Sequence, residues 1–382
     1  MGTTTTTADL LDRVEDIGPV IREHAAEAER GRRIAGPALE AMRGAGLFRM
    51  LLPSSLGGLE VDPVTFARVG EAVARLDSAA AWVLQAGNTG GWWGCRFPDE
   101  GAEEIFAEPD ILVAAAFHPP VDAVPVEGGF RLTGRRPLAS TIRDSRWLLV
   151  TAVFETGAVA AVVGADEVEV VDTWYPLGMR GTDSNDVVLE DVFVPARRTF
   201  PLMPQFTPGS HYGGPLYRLP AMASIVILLA PIALGIASEA VDAVRALAPR
   251  KRSLGTMRTL AERPVAHARL GRAEGLVRAG RALLHHSMQE AWDQAVAGAT
   301  FSPEDRAGCL LAGAYAVSAC VEAVDLLYGI SGSSAIYERS PIERHFRDIQ
   351  TIRHHGFVNE SRFEAVGQVL LGVEPEFNLL HF

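Results

Sequence analysis

Adjacent imidazoles at His354 and His355, near the C-terminal end of a 382-residue chain, are the best candidates in this sequence for moving a proton. Imidazole ordinarily titrates near neutral pH, so such a ring can take a proton from a bound molecule or return one as an acid. Neighbouring residues of a helix point about 100° apart, so in a helical context only one of the pair can face a ligand. Histidines on helices more commonly pack or meet solvent, and His285 and His286 read that way. Ser140, in the run 136–141, carries a hydroxyl that by composition alone caps a turn. Trp82, Trp92, Trp93 and Phe117 offer flat faces on which an aromatic substrate can stack, although core packing is the ordinary fate of each. His211 and Tyr212 lie in a long connection from which they could close over a site.

Composition excludes several functions. Acidic residues exceed basic ones, 47 to 35, and the net charge of -12 disfavours a nucleic-acid partner, since phosphate binding needs clustered Lys and Arg. The cluster Arg250, Lys251 and Arg252 is too small to change that and reads as a solvated helix end. No His-x-x-x-His or Cys-x-x-Cys spacing occurs, so no metal site is expected. Cys95, Cys309 and Cys320 lack a paired framework and read as reduced thiols of a cytoplasmic protein. Residues 1–10 read as a disordered, threonine-rich tail and not as a signal peptide. The apolar stretch 221–237 falls short of the roughly 18 residues a membrane span needs and contains Pro231, so a buried bundle helix is expected.

Positioning these groups falls to three predicted regions of an α+β, mostly α, chain. Residues 1–110 form an N-terminal α-helical domain, with Leu10, Val14, Ile17 and Ile21 at helical spacing and a further helix opening at Pro63. Character changes at Ile111. The runs 111–117, 129–133, 147–154, 159–163, 168–171 and 187–194, bounded by Gly, Pro and Asp, predict an antiparallel β-domain over 111–200, a small barrel. No Gly-x-Gly-x-x-Gly links a strand to a helix, so a nicotinamide-binding unit is not supported. Over 201–382 an irregular connection, 200–220, leads into helical patterns at 222–247, 261–297, 303–328 and 342–371, a C-terminal four-helix bundle.

Leu52-Pro53, Leu56-Gly57-Gly58-Leu59, the run from Asp77 to Trp82, Gly128-Gly129-Phe130 with Gly134, and Gly178-Met179-Arg180-Gly181-Thr182 occur in that order. Asp191-Val192-Phe193-Val194-Pro195, Gly329 to Ser334 and Arg347-Asp348 follow. As a set over most of the chain these resemble the acyl-CoA dehydrogenase superfamily. Dehydrogenases of that family place a catalytic glutamate after the arginine, at the position of Gly356, just past His354 and His355. The other customary glutamate position falls near Ile225. Their Thr-Glu-x-x-x-Gly-Ser-Asp segment is replaced by residues 116–123. With no customary carboxylate, the chain looks most like the two-component flavin-dependent monooxygenase branch.

The resemblance implies reduced FAD, with FMN as a possible substitute, delivered by a separate flavin reductase. Oxygen would reach an aromatic, phenol- or indole-like, or other electron-rich small molecule through a C4a-hydroperoxyflavin. It assigns catalysis to His355 and to Ser140, the latter beside flavin N5. It assigns cofactor contacts to Phe117, Arg252, Gly332, Ser333, Ser334 and Arg347, and substrate contacts to Trp82, Trp93, His211 and Tyr212. Arg347 has a structural alternative, pairing with Asp348 or Glu343. A homotetramer, a dimer of dimers, is the implied assembly. Two other readings remain open: a thioester dehydrogenase using Glu360 or Glu364 as base, and a non-catalytic subunit that retains no flavin.

Overall fold

A computed structural model describes residues 5–202, 209–252, 255 and 257–377. Helices α1 (Thr7–Gly31), α2 (Gly36–Gly44), α3 (Pro63–Leu76), α4 (Ser78–Gly94) and α5 (Asp99–Ile105) precede strands β1 (Val113–Val126), β2 (Gly129–Ala139), β3 (Trp147–Phe154), β4 (Gly157–Gly164), β5 (Glu169–Val171), β6 (Asn185–Pro195) and β7 (Thr199–Pro201). Then come α6 (Ala221–Leu247), α7 (Pro264–Ala297), α8 (Pro303–Ser331), α9 (Pro341–Ile352) and α10 (Ser361–Leu370). Helix α1 starts earlier than the threonine run suggested. Thr6 and Asp9 form a reciprocal capping box there, which satisfies the first free amides. Of the expected disordered tail, residues 1–4 lie outside the described residues, as do 203–208 of the long connection.

Contacts divide the chain into two compact units, one of residues 1–62, 82–175 and 180–218, the other of 63–81, 176–179 and 219–382. In the first unit the described strands form one sheet in the order β5-β6-β2-β1-β3-β4-β7. The sheet differs from the antiparallel barrel expected: β1 runs parallel to β3, and the order ends at β5 and β7 instead of closing. Strand β2 pairs with both β1 and β6, so the chain must cross over to begin β3 on the far side of β1. Alternation along β3 sends Leu148, Val150 and Ala152 into one apolar cluster and Trp147 and Leu149 into another. Burial on both faces is why this strand reads as a continuous apolar run.

In the second unit α6, α7 and α8 pack with α3. Gly235 of α6 sits so close to α3 that a Cβ would lie 2.3 Å from the Ala74 Cβ, which only glycine permits. Arg281 of α7 donates to both oxygens of Glu71 on α3 (2.6 and 3.1 Å) and to Ser238 on α6 (2.8 Å), so one guanidinium ties three helices. The stretches Ile225–Leu247 and Pro303–Ile336 are long and apolar enough to cross a membrane, yet 83% and 67% of their apolar windows are buried within the protein. The fourth long helix expected over 342–371 is instead two, α9 and α10. Residues 353–360 form a turn between them, in which Asn359 Oδ1 accepts from the Ser361 amide (3.2 Å).

Candidate active site

Ser140 lies just past the end of β2, 8% exposed, where its Oγ accepts the Trp82 indole N–H at 3.0 Å. Ser140 Oγ also meets Ser184 Oγ at 2.7 Å, and Ser184 Oγ meets Thr182 Oγ1 at 2.7 Å. Three buried hydroxyls thus run in file from Thr182 to Ser140. The backbone around them is held in a left-handed conformation at non-glycine positions: φ is 61° at Leu138, 63° at Thr141 and 51° at Asp183. Each such residue costs about 1–3 kcal/mol and persists only where its surroundings fix it. Thr141 N donates to Thr182 O (2.9 Å), joining the two strained segments. Asp183, 1% exposed, accepts from Arg143 Nη1, Arg143 N and Asn185 Nδ2. Burial pushes the Asp183 carboxyl up, with Arg143 opposing.

The hydroxyl file makes a specific stability prediction. Ser184→Ala removes the partner of the Thr182 hydroxyl, which is 1% exposed, and should cost about 1–3 kcal/mol. Adding Thr182→Val should recover part of that in urea titrations; an unchanged double-mutant midpoint would show that the hydroxyls contribute no coupled bond.

Aromatic candidates of the same unit come together in part. Trp93 lies 5.9 Å from Phe117 and stacks on Phe200 at 5.8 Å. Trp92 is buried, with its indole N–H on Leu216 O (3.4 Å), so packing is its role. His211 Nδ1 pairs with Ser55 Oγ (2.8 Å), and Tyr212 donates to Tyr217 O (2.6 Å) while burial pushes its phenol up. Sequence reasoning missed Arg96, whose guanidinium lies 4.1 Å over the Trp92 ring and 4.8 Å over Trp93. Its spacing of three residues from Trp93 at the end of α4 was the available signal.

In the second unit, two segments far apart in sequence meet. Lys251 Nζ donates to Ser334 Oγ at 2.6 Å, which brings the basic cluster to the turn of Gly332, Ser333 and Ser334. Gly332 has φ 54° with open space on its Cβ side, Ser333 is exposed, and Arg252 is exposed beside a backbone bridge to Thr259. Cations, an exposed hydroxyl and an unobstructed glycine form a donor set suited to a pyrophosphate, so these residues fit the nucleotide half of a flavin. Arg347 is committed elsewhere: it donates to both Glu343 oxygens (2.6 and 3.0 Å) and to Leu177 O (3.0 Å).

The histidine pair sits in the turn after α9, not on a helix, so helical geometry does not set the directions of the two rings. His354 is exposed; His355 is half-buried, 5.4 Å from the Phe357 ring. Burial pushes the His355 imidazole down to about 4, and that of His345 likewise to about 4. Phe357 N–H donates to His355 Nδ1 (3.4 Å), which leaves the ring proton on Nε2. Both lowered histidines protonate more readily when unfolded. Between about 4 and 6.5 the unfolded chain therefore binds more protons, and stability rises with pH. Urea midpoints should fall from pH 7 to pH 4.5, with a shallower fall in His345→Asn; a flat profile in the wild type would contradict these depressed values. Among the described residues, no group of three or more His, Cys, Asp and Glu could hold a metal.

Residues 10–98 match the N-terminal domain of acyl-CoA dehydrogenase, and residues 227–360 match its C-terminal domain. The chain belongs to the acyl-CoA dehydrogenase superfamily. Among its relatives are oxygenases. It is 29% identical to an indole-3-acetate monooxygenase of Pseudomonas putida, over 96% of this chain and 93% of that one. It is also 29% identical to the oxygenase component of an FADH(2)-dependent resorcinol hydroxylase of Rhizobium sp., over 96% and 95% of the two chains. The structure of XiaF from Streptomyces sp., in complex with FADH2 and glycerol, superposes with a TM-score of 0.91 at 27% identity, covering 97% of this chain and 96% of that one. Within the superfamily, the chain falls in the branch of two-component flavin-dependent monooxygenases.

Proposed function

We propose that this protein is the oxygenase component of a two-component system that hydroxylates a phenol- or indole-like molecule. Reduced FAD, or FMN in its place, supplies the electrons with which oxygen is activated. The observation that carries the reading is a half-buried His355 in the turn after α9, in a segment where dehydrogenase relatives place a glutamate. Neither acid that follows is suited to replace that glutamate: Glu360 is 79% exposed and 3.6 Å from Arg353, and Glu364 is exposed on α10. Abstraction of a proton beside a thioester needs a sheltered carboxylate, so desaturation is disfavoured.

Each residue has a role its surroundings support. His355, neutral at pH 7 because burial lowers its imidazole, hydrogen-bonds the substrate hydroxyl or ring N–H and polarises it, which raises the electron density of the adjacent ring carbon. Ser140, whose Oγ also meets Trp82 Nε1 and Ser184 Oγ, lies beside the flavin ring in this reading. Gly332, Ser333, Ser334, Lys251 and Arg252 hold the nucleotide half. Trp93 and Phe117 give the substrate a flat apolar wall, and His211 with Tyr212 closes the connection near it. A separate reductase delivers the flavin to a cytoplasmic homotetramer. Chemically reduced FAD, oxygen and a panel of phenols and indoles should yield a hydroxylated product without any reductase. Anaerobic bleaching of oxidised FAD by an acyl-CoA would contradict the proposal.

A further inference from the structure

Arg136 of β2 precedes Ser140 by four residues and pairs with Val187 of β6. Directly paired residues share a face of the sheet, and Val187 is fully buried in its apolar cluster. The arginine is therefore turned toward the core side, where it is 2% exposed. Among the described residues its side chain makes no hydrogen bond, ion pair or ring contact, and Nε and Nη1 are sealed from solvent. Asp122, the carboxylate that favours its charge, forms no hydrogen bond with it. The other interior arginines differ: Arg281 has Glu71 and Ser238, and Arg344 has Asp77 and Asp348.

A guanidinium with Nε and Nη1 buried away from any acceptor, and Nη2 not sealed in that way, opposes folding, and groups held against folding concentrate at functional sites. The neighbouring backbone is strained in the same way, at Leu138 and Thr141. Resting on the oxygenase reading, we propose that Arg136 receives an anionic group of a small-molecule ligand, either the carboxylate of an aromatic substrate or the phosphate of the flavin nucleotide. A guanidinium suits both, since planar N–H donors match carboxylate and phosphate oxygens. Ligand binding then supplies the acceptors that the fold withholds.

The test compares wild type with Arg136→Met, which keeps an apolar stem, and Arg136→Lys, which keeps the charge. Free Arg136→Met should melt at a higher temperature than wild type, because an unpaired buried charge has been removed; a structural arginine would give a lower one. Dissociation constants are measured for FAD, FMN and riboflavin, and for indole-3-acetate and indole. A loss of about 30- to 100-fold on FAD and FMN but not riboflavin identifies the phosphate. The same loss on indole-3-acetate but not indole identifies the carboxylate, and in either case the lysine variant should recover part of it. A lower melting temperature with all five affinities unchanged would overturn the proposal. So would equal losses on charged and neutral ligands, or a change in subunit association alone. A wild type that binds no flavin would sink the oxygenase reading, and stabilisation by acetate or inorganic phosphate, absent in Arg136→Met, would still decide Arg136.

Discussion

Replacing His355 with alanine lowers the rate of substrate hydroxylation by about 100- to 1000-fold and leaves the affinity for reduced FAD at its wild-type value. The split follows from position. His355 lies in the turn after α9, whereas the donors suited to the nucleotide are Lys251, Arg252 and the 332–334 turn. Because burial holds the imidazole near 4, the rate should be flat from pH 8 to pH 5.5 and fall only as the ring begins to take a proton. His355→Gln, which retains an N–H donor, should recover part of the rate. Stopped-flow rates with equilibrium flavin titrations check this. Equal loss of rate and flavin affinity would make His355 a structural residue, and a rate that drops through pH 6.5 would contradict a neutral donor.

The largest effect on stability is expected at Asp348. This carboxylate, 1% exposed, accepts from Ser78 Oγ (2.6 Å) and the Met179 amide (2.6 Å), and lies 3.5 Å from Arg344 Nε. Arg344 also donates to Asp77 at 2.6 Å, so two buried acids share one guanidinium. Met179 has φ 55°, and the Gly178 amide donates to Thr351 Oγ1 (3.0 Å), so α9 holds this strained turn through its backbone. Asp348→Ala strands the Met179 amide and the Ser78 hydroxyl and removes charge beside Arg344. The expected cost is about 3–5 kcal/mol, read as a lower urea midpoint at constant slope. Asp348→Asn keeps an acceptor for Met179 and should cost less. Two variants of equal, near-wild-type stability would contradict this account.

The helices were legible because their apolar stripes recur at helical spacing, as Leu10, Val14 and Ile21 of α1 show, all buried. Strand positions were legible from the apolar runs, but strand direction was not. That β1 lies parallel to β3 depends on which strands become neighbours, and nothing local to either run encodes it. The break between α9 and α10 was hidden because Ile342 to Leu371 continues a helical apolar pattern through the turn at 353–360. His355 and Ser140 were proposed through resemblance, while their environments were not legible in the sequence. Trp82 and Ser184 reach Ser140 from distant segments, and the isolation of Arg136 exists only once the sheet has formed. Arg347 matched a family motif, yet its guanidinium is spent on Glu343 and Leu177.

The central claim is that an oxygen atom from O2 is inserted into an electron-rich aromatic ring. Its most direct measurement is mass spectrometry of the product formed from reduced FAD, a phenol or indole, and oxygen-18 gas. One labelled oxygen per product molecule is predicted. Unlabelled product, or flavin reoxidised with the aromatic recovered intact across the panel, would contradict it.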